Sequence, residues 1–392
     1  MLSQRVRELE AAATLEMNAR RIELAEQGRS IVNFGVGEPD FPTPEFVCEA
    51  AKRAIDDGWT RYTAVAGVPE LRSAVAEVTS KSRQIEVAPE EVIITCGAKH
   101  ALAEVLLAQV DRGDEVLIPG PYWVSYPEMV RVCEGIPVPV MADASSGYKV
   151  TPEQLEAAVS PRTVGMFLNT PNNPTGVIYS REEIDALVAF AKENDIWILS
   201  DEIYEEFAFE GEFASAISGE GRDTTVLVSG VSKSFAMTGW RIGWAVADRA
   251  FVARLTRLQS HTASNPTAVS QAATIAALML DDDGFRSEML TEFRKRRDTA
   301  VDALGKIEGL TFQPPAGAFY VLCDIHSILE RPGAPKTSRD FCLAALDEAS
   351  VALVPGEAFG VPGAVRISYA CGLESVEKGL ASLHAYIDRI GS

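Results

Sequence analysis

A chain of 392 residues, 47% of them apolar, can bury a large core without disulfide or metal staples, and its length allows two or three domains. Its formal net charge of -20 at pH 7 sets up a field that repels nucleic-acid backbones and acidic membrane surfaces, so neither is an expected partner. Six cysteines without a C-x-x-C pair and four scattered histidines argue against a disulfide framework or a metal site, leaving reduced, mostly buried thiols as the expectation.

In chain order, the first thirty residues mix arginine, glutamate and small apolar residues in helical rhythm, unlike the apolar stretch of a secretory signal. No apolar run is long enough to span a bilayer, and a cytoplasmic location is expected. Between Val92 and Val246, short β-branched runs alternate with amphipathic segments. That pattern predicts an α/β fold, a mostly parallel central sheet sandwiched by helices. The predicted strands are 92–95, 115–118, 164–169, 196–200, 224–228 and 242–246. After Gly97, the residues Ala98, Ala101, Leu102, Val105 and Leu106 share one helical face. Ser180 and Glu183 form a capping box ahead of Ile184, Leu187, Val188 and Ala191, which repeat at helical spacing. The basic cluster from Arg294 to Arg297 lies in a helical stretch and reads as a solvated face. Pro314, Pro315 and Gly317 read as a turn feeding a strand from the apolar run 318–322.

The expected division is a large domain at 46–284 and a smaller α+β domain at 285–392, with 1–45 supplying an N-terminal arm and part of the smaller one. Open α/β sheets collect ligands at the carboxyl ends of their strands. Three consecutive predicted strands deliver Asn173, Asp201 and Lys233 to that edge: an amide, a carboxylate and an amine.

Seven motifs tie these positions together: GVGEPDFPTP at 35–44, RYTAVAGVPELR at 61–72, GPYWVSYPE at 120–128, NTPNNPTG at 169–176, SDEIYE at 200–205, VSKSFAMTGWRIGW at 231–244 and VRISYA at 365–370. Through them the chain resembles, nearly from end to end, the class I aminotransferases of pyridoxal-phosphate fold type I. The resemblance implies that Lys233 condenses with the aldehyde of pyridoxal 5'-phosphate and then serves as general base, a task that suits a desolvated amine near a cationic ring. It implies that Asp201 keeps the pyridine nitrogen protonated so that the ring accepts an electron pair. Asn173 and Tyr204 would hydrogen-bond the phenolic oxygen, and Trp123 would stack on the ring.

The phosphate would be met by Arg241, by the backbone at Ala98 and Lys99, by a hydroxyl near the lysine and by Tyr62 of a neighbouring subunit in a homodimer. Gly230 stands where many relatives carry a serine, which leaves Ser229 and Ser232 as alternatives for that hydroxyl. Arg366 would clamp the substrate α-carboxylate with its bidentate fork, and Gly37 would lie close to bound substrate. No counterpart is found for the partner-subunit arginine of the best-known branch. Lys99 resembles the lysine that another branch uses to attract a distal carboxylate. The implied reaction is amino transfer between L-aspartate, or a similar amino acid, and 2-oxoglutarate. Prephenate or aromatic and neutral substrates, and other carbanion chemistry on the same cofactor such as β-elimination, are the alternatives.

Overall fold

The computed structural model describes residues 13–280 and 284–390, together with Ser3, Val6, Arg7 and Leu9. The helical rhythm expected near the start is a helix at Ala13–Glu26; most of the residues before it lie outside the described ones.

In chain order the strands are β1 (Val32–Asn33), β2 (Val92–Thr95), β3 (Glu115–Gly120), β4 (Ile136–Met141), β5 (Thr163–Asn169), β6 (Trp197–Asp201), β7 (Thr225–Gly230), β8 (Gly243–Val246), β9 (Thr311–Phe312), β10 (Tyr320–Asp324), β11 (Val351–Ala352), β12 (Val354–Pro355) and β13 (Ala364–Ser368). Seven of them form the main sheet, in the order β2-β8-β7-β6-β5-β3-β4. All neighbours are parallel except β8, which runs antiparallel to both β2 and β7.

All six predicted strands are present, with ends shifted by no more than two residues. They stand out because helices cover both faces of the sheet, so the strands read as near-continuous apolar runs. Leu199, Val226 and Val228 pack on one face with Ala101, Val105 and Leu255. Met166, Leu168 and Ile198 pack on the other with Ile184 and Leu187 of the helix Arg181–Glu193, whose capping box closes as expected. Strand β4, IPVPVM, was not among the predicted strands. It is one of the two edge strands, partly exposed, and an edge is where Pro137 and Pro139 can be accommodated without loss of a ladder bond.

The reversal of β8 governs the site. Antiparallel neighbours need no crossover helix, so the chain passes from Gly230 to Gly243 through a short connection that stays at the carboxyl edge of the sheet. That connection carries both Lys233 and Arg241. A second, antiparallel sheet has the order β12-β13-β10-β9, and β1 pairs with β11 in a short parallel ladder. The turn expected before the run 318–322 does feed a strand, β10.

Two expectations need correction. In the cluster from Arg294 to Arg297, Arg294 and Lys295 are exposed as expected, but Arg296 and Arg297 are buried rather than solvated. Their helix, Gly284–Leu304, turns Phe293, Ala300 and Leu304 to the core, and the arginine stems lie along aromatic faces. Arg296 sits over Phe41 and Phe293 and pairs with Asp40 at 2.6 Å and Glu292 at 3.0 Å, while Arg297 pairs with Glu210 at 2.9 Å and Asp298 at 2.6 Å. Of the six free cysteines, Cys323 and Cys342 are buried and the other four are only half-buried. Arg296→Ala leaves Asp40 without its partner at the core edge and removes the packing on both rings. It should cost about 2 kcal/mol, measured as a lowered urea midpoint against wild type.

Candidate active site

A cavity of about 520 Å³ opens at the carboxyl edge of the main sheet, bounded on its far side by β10 and β13. Asn169, at the end of β5, organises the first wall: its Nδ2 donates to the Asp201 carbonyl at 2.9 Å and its Oδ1 accepts from the Asn173 backbone N–H at 2.9 Å. The side chain thereby ties one strand end to the next and fixes where Asn173 stands.

Asp201 closes β6 and is 3% exposed. Its Oδ2 accepts from the Tyr126 hydroxyl at 2.8 Å and its Oδ1 from the Ile203 N–H at 3.3 Å. Burial pushes the carboxyl up to about 6 against those two donors, so it is a strong acceptor in search of a further N–H. Behind it, Glu202 is fully buried and pairs with Arg83 at 2.9 Å, which braces the turn running from Asp201 to Tyr204.

Lys233 stands across the cavity in the one-turn helix Val231–Ser234, and its Nζ donates to the Gly37 carbonyl at 2.5 Å. Burial, joined by the nearby Arg241 and Arg366 and opposed by Glu38 and Asp201, pulls the amine down to about 8. The neutral, nucleophilic form is therefore far more accessible near neutral pH than in an ordinary lysine, although most of the amine stays protonated there.

At one end of the cavity the geometry forms an anion cradle. Arg241 adopts φ +57° and donates to the Thr238 carbonyl at 2.8 Å and the Cys96 carbonyl at 3.3 Å. Its guanidinium occupies the place a side chain at Gly97 would need: a Cβ there would lie 2.3 Å from Nη2, and Gly97 also has φ +91°. The helix Ala98–Gln109 begins at the same point, and among the described residues no acceptor takes up the Ala98 and Lys99 N–H groups. Ser232 lines the cavity, whereas the Ser229 hydroxyl turns away to donate to Glu205 at 2.9 Å.

At the other end Arg366, from β13, is 5% exposed. It donates to Asn173 Oδ1 and to the Gly35 carbonyl, both at 3.0 Å, and its buried Nε has no partner. No described carboxylate pairs with it, which leaves a buried guanidinium suited to an incoming anion. Trp123 walls one side. Lys99 Nζ lies 4.5 Å from its ring centroid and 3.1 Å from Ser125 Oγ, and burial, then Arg241, pulls that amine down as well.

The cavity thus gathers Gly37, Ala98, Lys99, Trp123, Asn173, Asp201, Tyr204, Ser232, Lys233, Arg241 and Arg366. Tyr62 is not among them; it is 91% exposed on the surface of the chain. Two tyrosines that the sequence reading assigned no role also line it, Tyr126 against Asp201 and Tyr320 against Tyr204. Tyr126 stood inside the GPYWVSYPE motif and Tyr320 inside the predicted strand run, where aromatic residues read as core.

A mostly parallel sheet with a half-buried lysine, a buried carboxylate and a buried arginine meeting at its carboxyl edge is the architecture of the fold type I aminotransferases. A family model for aminotransferase class I and II matches residues 29–383, and the chain belongs to that family. It is 40% identical over 390 residues to an aspartate aminotransferase of Bacillus sp. (strain YM-2), covering 99% of both chains. It is 43% identical over 385 residues to an aspartate/prephenate aminotransferase of Thermus thermophilus, covering 97% of both. The crystal structure of the Rhizobium meliloti aspartate aminotransferase superposes with a TM-score of 0.95 at 38% identity, covering 100% of this chain and 99% of that one. The protein is an aminotransferase.

The raised carboxyl has a stability consequence. Between about pH 4 and 6 the folded chain binds the Asp201 proton more tightly than the unfolded chain, so stability falls as pH rises through that window. Asp201→Asn removes the cost. In protein dialysed free of small molecules, the variant should be the more stable one above pH 6, by on the order of 3 kcal/mol, with the advantage gone below about pH 4. Urea titrations at pH 4 and pH 7.5 check the sign.

Proposed function

We propose that this cavity binds pyridoxal 5'-phosphate and that the enzyme moves an amino group from L-aspartate, or a similar amino acid, to 2-oxoglutarate. The observation carrying this reading is that Lys233, Asp201 and Arg366 converge on a single cavity whose end is a cradle made possible by Gly97. The residues fit the group. The cradle offers Arg241, the Ala98 and Lys99 N–H groups and the Ser232 hydroxyl to a phosphate. Asp201 suits a protonated ring nitrogen, and Trp123 a flat ring face. When bound, the cofactor supplies a conjugated ring that accepts the electron pair released at the substrate α-carbon.

The chain's own groups do the rest. Because Asn173 Oδ1 is taken by Arg366, its Nδ2 is the atom left to donate to the cofactor's phenolic oxygen, beside the Tyr204 hydroxyl. Arg366 grips the substrate α-carboxylate, and Gly37 leaves room beside it. Lys233, once released, moves the proton between the substrate α-carbon and the cofactor carbon that receives the amino group. Its depressed basicity suits both steps. Lys99, whose amine lies against Trp123 in the cavity wall, suits a second carboxylate, which favours an acidic substrate.

In the proposed assembly, a homodimer with shared sites in the cytoplasm, the exposed Tyr62 would reach the phosphate of the partner's site. Residues 46–284 make the large cofactor-binding domain, and 1–45 with 285–392 the smaller one. Prephenate as acceptor is the second reading, favoured by the Thermus thermophilus relative and by the same lysine, since prephenate also carries two carboxylates.

Adding L-aspartate to the cofactor-loaded protein should convert the visible absorbance to that of the amino form of the cofactor and release one equivalent of oxaloacetate. Full conversion by aromatic or basic donors with none by aspartate would contradict the substrate assignment. Lys233→Ala should lose multiple turnover by on the order of 10⁴-fold, and a variant that still turns over repeatedly would end the assignment of that lysine.

A further inference from the structure

Tyr320 has no role in the reaction as described so far, yet its side chain touches two groups that do. Its hydroxyl lies 2.8 Å from the Tyr204 hydroxyl, and both tyrosines are buried. Its ring lies 4.4 Å from the Arg366 guanidinium carbon. A Cβ on Gly37 would come within 3.2 Å of the Tyr320 oxygen, so the glycine that borders the substrate space also makes room for this hydroxyl.

The sheet register explains the ring contact. Tyr320 pairs with Ser368 and Leu322 with Arg366, so Tyr320 and Arg366 are diagonal neighbours on one face of the β10–β13 ladder. Arg366 is buried without a carboxylate partner, a costly state for a cation. An aromatic face offsets part of that cost through its quadrupole without supplying an anion that would compete with substrate.

Either hydroxyl can donate across this contact, and proton counting favours one direction once a ligand is to be met. Burial raises both tyrosines above their ordinary value, so each keeps its proton. Two hydroxyls share one bond, so one proton is left for another acceptor. Among the described residues, Tyr204 is the only hydrogen-bond partner of the Tyr320 hydroxyl. If Tyr204 donated, the Tyr320 proton would point at no described acceptor, and Tyr204 would have nothing to offer a ligand. With Tyr320 as donor, the Tyr204 proton is turned outward, and accepting a bond strengthens the one Tyr204 makes.

We propose that Tyr320 is a positioning residue with two separable tasks: its hydroxyl donates to Tyr204 and turns the Tyr204 proton toward the cofactor's phenolic oxygen, and its ring carries Arg366. This rests on the cofactor reading above. With the cofactor held by Lys233, its phenolic oxygen would carry more negative charge once the lysine nitrogen gave up its proton, so a donor to that oxygen would lower the pH at which the lysine nitrogen titrates. Removing part of the donation raises it.

The test is spectrophotometric pH titration of the cofactor-loaded protein, with KM for L-aspartate measured alongside. Tyr320→Phe should raise the titration midpoint by about half a pH unit and change KM less than about two-fold, because the ring remains. Tyr204→Phe should raise the midpoint further, and adding Tyr320→Phe to it should produce no additional shift, since the relay is already broken. Tyr320→Leu should raise KM by about ten-fold beyond the effect of Tyr320→Phe.

An unchanged midpoint in Tyr320→Phe beside a raised one in Tyr204→Phe overturns the hydroxyl assignment and leaves the cofactor reading intact. Equal KM values for Tyr320→Phe and Tyr320→Leu overturn the ring assignment. Wild-type protein that takes up no cofactor, and so shows no titration, overturns both the reading and the proposal.

Discussion

The Asp201 carboxylate sits at the end of the central strand of a seven-stranded sheet, out of water, with one phenol and one distant backbone N–H as its donors. A carboxylate kept dry and incompletely satisfied is costly to the fold. The surrounding structure holds it there. Asn169 ties its carbonyl, Tyr126 holds one oxygen, and the buried pair of Arg83 and Glu202 fixes the turn behind it. Under the proposed function the cost has a use, because the same desolvation would make the group a strong partner for a cationic ring nitrogen. Lys233 pays the opposite side of this electrostatic account, losing basicity to the same burial that raises the acid.

The fold brings these opposed groups together through one topological choice. Had β8 followed β7 by a crossover, its entry point would lie at the far edge of the sheet. Running antiparallel, it returns directly, and Lys233 and Arg241 share one short connection. The glycines respond to that closeness. A Cβ at Gly243 would lie 2.2 Å from the Ala98 nitrogen and one at Gly97 would strike Arg241, so strand, helix start and guanidinium converge only because both side chains are absent.

Much of this was legible in the residues. Strands buried on both faces read as apolar runs, and the amide, acid and amine that follow three of them fell on the predicted edge because strand ends, loops and helix starts alternate in a fixed way. What escaped did so for physical reasons. The prolines of β4 hide an edge strand. The arginines of the helix Gly284–Leu304 look solvated until the aromatic faces beneath them, contributed by Phe41 and Phe209 from distant segments, come into view. Tyr126 and Tyr320 pattern as core residues, and their roles depend on which hydroxyl meets which group across gaps of 75 and 116 residues. The choice between Ser229 and Ser232 required knowing that Glu205 occupies the former.

The central claim is that a single amine, Lys233, holds the cofactor within reach of Asp201 and Arg366. Borohydride reduction of the cofactor-loaded protein, followed by protease digestion and mass mapping of every lysine-containing peptide, tests it most directly. The account predicts the cofactor's mass on the peptide containing Lys233, in stoichiometric yield, and on no other lysine. Stoichiometric label on Lys99, or on a lysine outside the cavity, would contradict it.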